Sequence, residues 1–561
     1  MQDGGSPLQS QAAPPRGTSI GRRSELAREQ LLPILALRLC SVLLSLGLAQ
    51  ALAAQTLERG NGPEPSTLDA HRCPEVACGN ILRDLYEGLV TEDAGGHLIP
   101  GMAERWEVSN DGRTWTFHLR QDLRWSNGET LDAGQIVASF RRAFAPMTAA
   151  PFAVHFGAIE NVEAVQAGKL APDRIGVAAP DARTIVFHLV RSADLPRLLL
   201  LPVGYPVYLP ALAKFGAQHT RPGNLVSNGA YRLRGWTPQA NLLLERNPYF
   251  REPAPIANVR YQVTEDAASE LQRFAAGDLQ LTETVPPQPL KNLRARFGEQ
   301  LRISPYLGSM WIGLNLAQPP LKNNLALRQA LSLAIDRDKL TRYITGLGET
   351  PAWGIVPPGI ADYPPVTINA ARMIQSQREA LARQLYARAG YSMEKPLEIE
   401  LRYNTSTPLR RLNLAVAAMW HDVLGARVRL RNEEWKVFVG NRKQRVITQA
   451  FRGGWIADID DARNFLANFE SSSTTNWSGV DDADFNALLH AADAAPTLAD
   501  RNQKLREAEA RLLNLQAVIP IYFYTSKHLL RPEVSGFEAN PLDHHPSRFL
   551  RWSPSTQGRT P

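Results

Sequence analysis

From residue 397 onward the sequence repeats strand, helix, strand, helix, strand, and this constrains the fold more than any other feature. LEIELRYNTS (397–406) alternates apolar and polar residues as a half-buried strand does and then runs into a polar loop. LRRLNLAVAAMWHDVLG (409–425) has the spacing of an amphipathic helix and stops at Gly425, the residue type that closes helices in a left-handed conformation. ARVRLRNEEW (426–435) returns as a strand, WKVFVGNRKQ (435–444) is a further helix, and VITQAFRGGW (446–455) is strand-like again. The alternation predicts a parallel sheet covered by helices, in which ligands gather beyond the carboxyl ends of the strands. AFRGGWIADID (450–460) falls at such an end.

On a strand, residues 452, 454, 456 and 458 share one face. Arg452 and Asp458 then stand at either end of a patch made by Gly454 and Ile456. Taken alone, the stretch reads as an edge strand with solvated charges.

The 561 residues, 44% hydrophobic and 21% charged, are enough for two to four domains with full cores. Residues 1–30 are the exception: Gly, Ser, Gln and Pro dominate there, no aromatic residue occurs, and no core can form. LCSVLLSLGLAQALAAQT follows Arg38, an apolar run of roughly a dozen residues ending on Ala51-Leu52-Ala53, which suits a signal peptide cleaved after Ala53 better than a membrane anchor. Cys40 precedes the run, the wrong place for lipid attachment, so an exported protein is expected.

Beyond Ala53 there are 57 basic and 52 acidic groups. So weak a bias argues against a nucleic-acid binder. Cys73 and Cys78, in CPEVAC, are the cysteines left after cleavage; a local disulfide is expected, since a metal site would need two more ligands and only His71 is near.

In the first half, WTFHLR around Phe117 and IVFHLV around Phe187 alternate as strands and read as antiparallel pieces of one sheet. The helical AGQIVASFRRAF lies between them, which predicts a compact α+β unit over about 94–207.

The chain has no G-x-S-x-G elbow, no H-E-x-x-H, no phosphate-cradling G-x-x-x-x-G-K and no C-x-x-C. The adjacent acids Glu433-Glu434 and Asp481-Asp482 read as solvated faces, and His544-His545 as a surface turn rather than a metal site. A large exported α/β chain without a catalytic constellation leans toward binding.

Five strings then point one way. NILRDLYEGLVTEDAGGHLIPGMAERWEVSNDGRTWTFHLRQDLRWSNGETLDA resembles the N-terminal signature of the solute-binding proteins of peptide ABC transporters, solute-binding protein family 5. NLVSNGAYRLRGWTPQANLLLERNPYF, ALSLAIDRDKL, YNTSTPLRRLNLAVAAMWHDVLGARVRLRNEEWKVF and RGGWIADIDDARNFL resemble later blocks of its oligopeptide-binding members, in order, so that the likeness covers nearly all of 55–553.

The resemblance implies an α/β, two-lobe clamshell of three domains with mixed sheets and a hinge. Domain I would be 54–93, 208–308 and 526–553, domain II the insertion 94–207 and domain III 309–525, with 554–561 a tail. It implies a periplasmic monomer without catalytic residue, cofactor or metal, which binds short peptides between its lobes and passes them to a permease with ATPase subunits. Contact with the membrane would be through the permease alone.

Residue by residue, Asp458 matches the family's acid for the ligand α-ammonium, and Gly454, Trp455 and Ile456 match the strand that bonds the peptide backbone. Arg452 matches a cation near ligand carboxylates, and Arg442 or Lys443 a second one. Trp435, Trp455 and Tyr524 match pocket aromatics or plain core, and Val76 the opposing contact segment. Two positions depart. The histidine of the YNTS region is replaced by Leu409-Arg410-Arg411, so its role is lost or passes to Arg410. Gly308 and Ile456 stand where some members build a disulfide, while the CPEVAC loop falls in the ligand-facing segment. The rival readings are the same fold specialised for murein tripeptide or dipeptide, and a secreted peptide or amide hydrolase.

Overall fold

The computed structural model describes residues 55–553, so the signal segment and the tail 554–561 lie outside the described residues. All but Gln55 of the described residues fall in one compact unit. Three multi-stranded sheets organise it.

The first sheet orders its strands Thr56–Gly60, Asn258–Gln262, Asn241–Arg246 and Tyr231–Thr237, the first pair parallel and the rest antiparallel. Its alternating apolar residues, Leu57, Val259, Tyr261, Leu242, Leu244 and Tyr231, are buried against Ile81, Leu82 and Leu85 of helix Val76–Leu85. That helix is thereby held with its first turn at the surface, where Val76 is 57% exposed.

The second sheet is antiparallel throughout: Ala103–Val108, Thr114–Leu119, Thr184–His188, Val177–Asp181. Trp115 pairs with Phe187 and Phe117 with Ile185, as the alternation of the two segments predicts. Helix Ala133–Phe144 covers it, started by a capping box between Asp132 and Gln135. Phe187 meets Phe117 and Phe140 edge-on at 5.6 and 5.3 Å in the core.

The third sheet has six strands in the order Thr350–Pro351, Val518–Leu529, Leu301–Leu314, Ala450–Ile456, Glu398–Asn404, Arg427–Glu433. Only the last three run parallel. The strand-helix repeat accounts for this half, with helix Thr407–Leu424 closed by Gly425 at φ 72° as its crossover. The other half is antiparallel because Leu301–Leu314 and Val518–Leu529 arrive from outside the repeat. The expected parallel sheet is therefore mixed.

Two surface expectations fail in whole or in part. Of the acid pairs, Glu434 and Asp481 are exposed as expected, though Glu434 and Asp482 also accept backbone N–H groups at the start of a helix, and Glu433 pairs with Arg402 with each side chain 12% exposed. An acid at a helix N-terminus satisfies donors that have no partner within the helix, which selects it there. His544 and His545 are not a surface turn. His544 bonds Glu92 at 2.7 Å, and His545 bonds Asp543 at 3.0 Å while stacking on Phe537 at 4.0 Å between ring centres. Among the described residues no helix is long and apolar enough to cross a membrane.

Candidate functional site

Strand Ala450–Ile456 carries two glycines with opposite duties. A Cβ on Gly453 would lie 2.2 Å from the indole nitrogen of the buried Trp311, so this glycine lets the indole pack against the strand. A Cβ on Gly454 would come within 3.2 Å of the Ser309 carbonyl and 3.4 Å of both Arg452 Nη2 and Tyr524 Oη. Gly454 thus leaves a bare strip of backbone beside an arginine and a phenol.

The strand is also half-paired. Against Leu301–Leu314 it is paired along its whole length, to Ile456 opposite Gly308, but against Glu398–Asn404 the register stops at Phe451. The Ala457 N–H donates to the Leu307 carbonyl. Antiparallel alternation then turns the main-chain groups of Gly453 and Trp455 toward that partner and those of Gly454 and Ile456 to the other side, where the register with Glu398–Asn404 has ended. Gly308 and Ile456 stand in direct apposition across the two strands.

At one end of this edge are two guanidinium groups. Arg452 donates to the Tyr524 hydroxyl at 3.2 Å. Arg442 is buried from helix Trp435–Gln444, its guanidinium 3.4 Å from the centre of the Trp477 ring and 3.5 Å from the Arg452 carbonyl. Among the described residues no carboxylate lies within 4.0 Å of either, and burial with the neighbouring Arg452 charge holds Arg442 down at about 9. Arg442 therefore backs the site rather than facing into it.

At the other end Asp458 follows the strand. Asn464 fixes it: the amide oxygen accepts from Trp455 Nε1 at 2.7 Å and from the Asp458 backbone at 3.3 Å, while the amide nitrogen donates to Asp458 Oδ2 at 3.4 Å. Asp458 and Trp455 line a cavity of about 610 Å³, whose other wall includes Phe152, His155 and Asp194 from the inserted unit. That volume lies in the range of small-ligand sites.

The cavity's other acids are neutralised: Asp194 by Arg197, Asp461 by Arg501, and Glu470 and Asp493 by Arg463, all at 2.8–3.2 Å. Asp458 has instead the imidazole of His155, 3.9 Å away. Burial raises the Asp458 carboxyl above its ordinary value, opposed by His155 and Asn464, and burial lowers His155, opposed by Asp458. Arg452 holds neither Asp458 nor Asp460 in place; Asp460 is taken by Arg197 at 2.6 Å.

Seven of the sequence-derived positions gather here: Asp458 and Trp455 in the cavity, Arg452, Gly454, Ile456 and Tyr524 along the strand edge, with Arg442 behind them. Trp435 is half exposed at the start of its helix, Arg410 is exposed in the first turn of helix Thr407–Leu424, and Val76 begins its own helix beside the Cys73–Cys78 disulfide, whose Cα atoms are 5.9 Å apart. His71 takes no part with the cysteines; it meets the Tyr205 carbonyl and Arg142. Sequence reasoning missed His155, Asn464 and the Arg197–Asp460 pair. Asn464 was within the quoted RGGWIADIDDARNFL block, but an asparagine inside a short helix carries no signal of its own.

The model of the bacterial extracellular solute-binding proteins, family 5 Middle, matches residues 97–477. The periplasmic oligopeptide-binding protein OppA of Salmonella typhimurium is 35% identical over 501 residues, covering 87% of this chain and 91% of that one. Among solved structures, the unliganded open form of the periplasmic murein tripeptide-binding protein MppA superposes with a TM-score of 0.79 at 32% identity, over 89% of this chain and 98% of the other. Haemophilus influenzae OppA in complex with the peptide RPPGFSPFR does so at 0.74 and 30%, over 89% and 99%.

Proposed function

Because this chain belongs to the bacterial extracellular solute-binding proteins of family 5 and has their two-lobed α/β clamshell fold, we propose that it captures short peptides in the cleft and delivers them to an ABC permease. The observation that carries this reading is Asp458, an acid in a cavity whose other acids are all paired with arginine. A ligand ammonium supplies the missing cation. In a closed cleft an ammonium without such a partner costs several kcal/mol, so the acid selects a free N-terminus.

The open edge at Gly454 and Ile456 suits an extended peptide added as a further strand, whose main chain is read whatever its side chains. Arg452, with Arg442 behind it, suits a ligand carboxylate, because these cations have no acid of their own among the described residues. Trp455 and Tyr524 supply apolar walls, and Val76 with the disulfide loop supplies the facing lip. Side chains sit in wet pockets where water adapts to each, which keeps selectivity low. The family is one of binding proteins, and no residue here is given a catalytic role.

We take the protein to be a periplasmic monomer that meets the membrane only at the permease and its ATPase subunits. The domain division is supported by the apolar cores: one draws on 57–86, 205–281 and 530–550, one on 89–211 with Ile459, two on 307–522 with Leu542, and a small one joins 271–297 to Leu347 and Leu529. Leu301–Leu314 and Val518–Leu529 run through its boundaries, which makes these paired strands the candidate hinge.

Calorimetry with alanine peptides of two to five residues, their N-acetylated forms and murein tripeptide tests the reading. Binding of free but not acetylated peptides is expected. Equal binding of both would remove the role of Asp458, and preference for murein tripeptide would favour the specialised form, whose relative superposes well.

A further inference from the structure

His528, Asp543 and His545 meet in a cluster for which the peptide-binding reading has no use. His528 lies on strand Val518–Leu529, while Asp543 and His545 belong to the segment between the buried residues Leu542 and Ser547. His528 Nε2 is 2.8 Å and His545 Nε2 3.0 Å from the same oxygen, Asp543 Oδ1, and the three atoms all lie within 4.8 Å of one another. We propose that these three side chains form a site for a first-row divalent cation of the zinc type.

Three features support the assignment. The first is spacing. Ligand atoms about 2.1 Å from a metal stand about 3.0 Å apart when they subtend a right angle and about 3.4 Å apart at the tetrahedral angle, so the observed separations need only small movements to admit the ion. The second is donor chemistry: two imidazole nitrogens and a carboxylate oxygen suit zinc and its neighbours rather than calcium or magnesium, which prefer oxygen alone.

The third is orientation from outside the triad. His528 Nδ1 meets the carbonyl of Thr282 at 3.0 Å, which fixes the ring with Nε2 toward Asp543 and is the arrangement that supports a metal-bound histidine elsewhere. His545 is clamped by the stack on Phe537, and its carbonyl accepts from Arg59 at 2.8 Å. The two Nε2 atoms and Asp543 Oδ1 are therefore already turned toward one another before any ion arrives. Bound metal would staple the segment carrying Asp543 and His545 to strand Val518–Leu529, and water would complete the coordination. It would take the place of the hydrogens now shared between the two Nε2 atoms and Asp543.

The test is titration of the chelator-treated, dialysed protein with Zn2+ alone, followed by calorimetry and by elemental analysis after gel filtration. One equivalent per chain is expected, with affinity weakened at least about tenfold in His545→Ala and in Asp543→Asn and unchanged in His490→Ala, an exposed histidine on another surface. Co2+ in place of zinc should give the visible absorption of a nitrogen- and oxygen-ligated ion, lost in the same variants. Far-UV circular dichroism establishes that each variant is folded, and His545→Gln, which keeps a polar side chain there, serves should either of the others fail to fold. Absence of stoichiometric binding, or binding unchanged in both site variants, would overturn the proposal.

Discussion

His155 and Asp458 face each other from different parts of the chain, imidazole Nε2 to carboxylate Oδ2, at 3.9 Å. That distance is a weak contact, and it is the nearest cation-forming group that Asp458 has. A ligand ammonium placed closer than this would outcompete it. Asp458→Asn keeps the shape and the Asn464 contact but removes the charge, leaving a desolvated ammonium unpaired. A loss of about 3–5 kcal/mol, over a hundredfold in Kd, is expected for tri-alanine by calorimetry. An affinity within threefold of the parent would refute the assignment.

The same carboxylate sets a pH dependence. Burial holds the Asp458 pKa above its ordinary 3.8, so it takes up a proton earlier than a surface acid as pH falls. The proposed pairing with a ligand ammonium needs the ionised form, and the groups that feel this charge are His155 and Tyr306. Protonation of His155 adds a second cation beside the ammonium. Affinity should therefore be flat near neutral pH and fall on acidification, starting above the usual carboxylate range. In Asp458→Asn the remaining weak binding should lose most of that acid limb.

Linkage gives a stability consequence of opposite sign. Because the folded-state pKa of Asp458 lies above its unfolded value, the ionised carboxylate is a cost to the fold at neutral pH, and the cost lessens as pH falls through the folded pKa. For His155, whose folded pKa is lowered, the penalty appears instead on acidification below its ordinary 6.5. Asp458→Asn should thus have an equal or higher Tm than the parent at pH 7 while binding poorly. A clearly lower Tm at that pH would mean that the side chain is structural.

The arginine end yields a ligand-based prediction. Arg452→Met keeps an unbranched apolar stem and removes the charge and the donor to the Tyr524 hydroxyl. Peptides with a free C-terminus should then bind about tenfold more weakly or worse, the worth of one charge-assisted hydrogen bond, while C-terminally amidated peptides should be little affected. Equal losses for both ligands would place Arg452 outside carboxylate recognition.

Much of this was readable in the sequence where a signal is local. AGQIVASFRRAF and WKVFVGNRKQ are helices with those limits, and Gly425 closes its helix, because capping and periodicity act within a few residues. The mixed character of the large sheet was not readable, since its antiparallel strands come from 301–314 and 518–529. Long-range pairs were equally hidden: His155 with Asp458, Arg197 with Asp460, and His528 with Asp543 are each joined by the tertiary fold alone. Arg442 was named as a ligand cation, and its burial over Trp477 follows from a residue 35 positions further on that no periodicity connects to it.

The adjacent glycines separate stability from binding. Gly453→Ala would drive a methyl to 2.2 Å from the Trp311 indole, whose ring is 1% exposed and packed against Phe469, so the indole or the strand must shift. Overpacking of this kind costs about 1–3 kcal/mol, read as a lower denaturant midpoint. At Gly454 the atoms nearest an added methyl are the Ser309 carbonyl oxygen, Arg452 Nη2 and Tyr524 Oη at 3.2–3.4 Å, two of them ends of side chains. Gly454→Val should therefore fold with a midpoint close to that of the parent, yet stand between the open edge and an incoming peptide strand and lower affinity by more than tenfold. A stable Gly453→Ala would show that the Trp311 contact is not tight, and a Gly454→Val that binds normally would show that peptides do not dock on this edge.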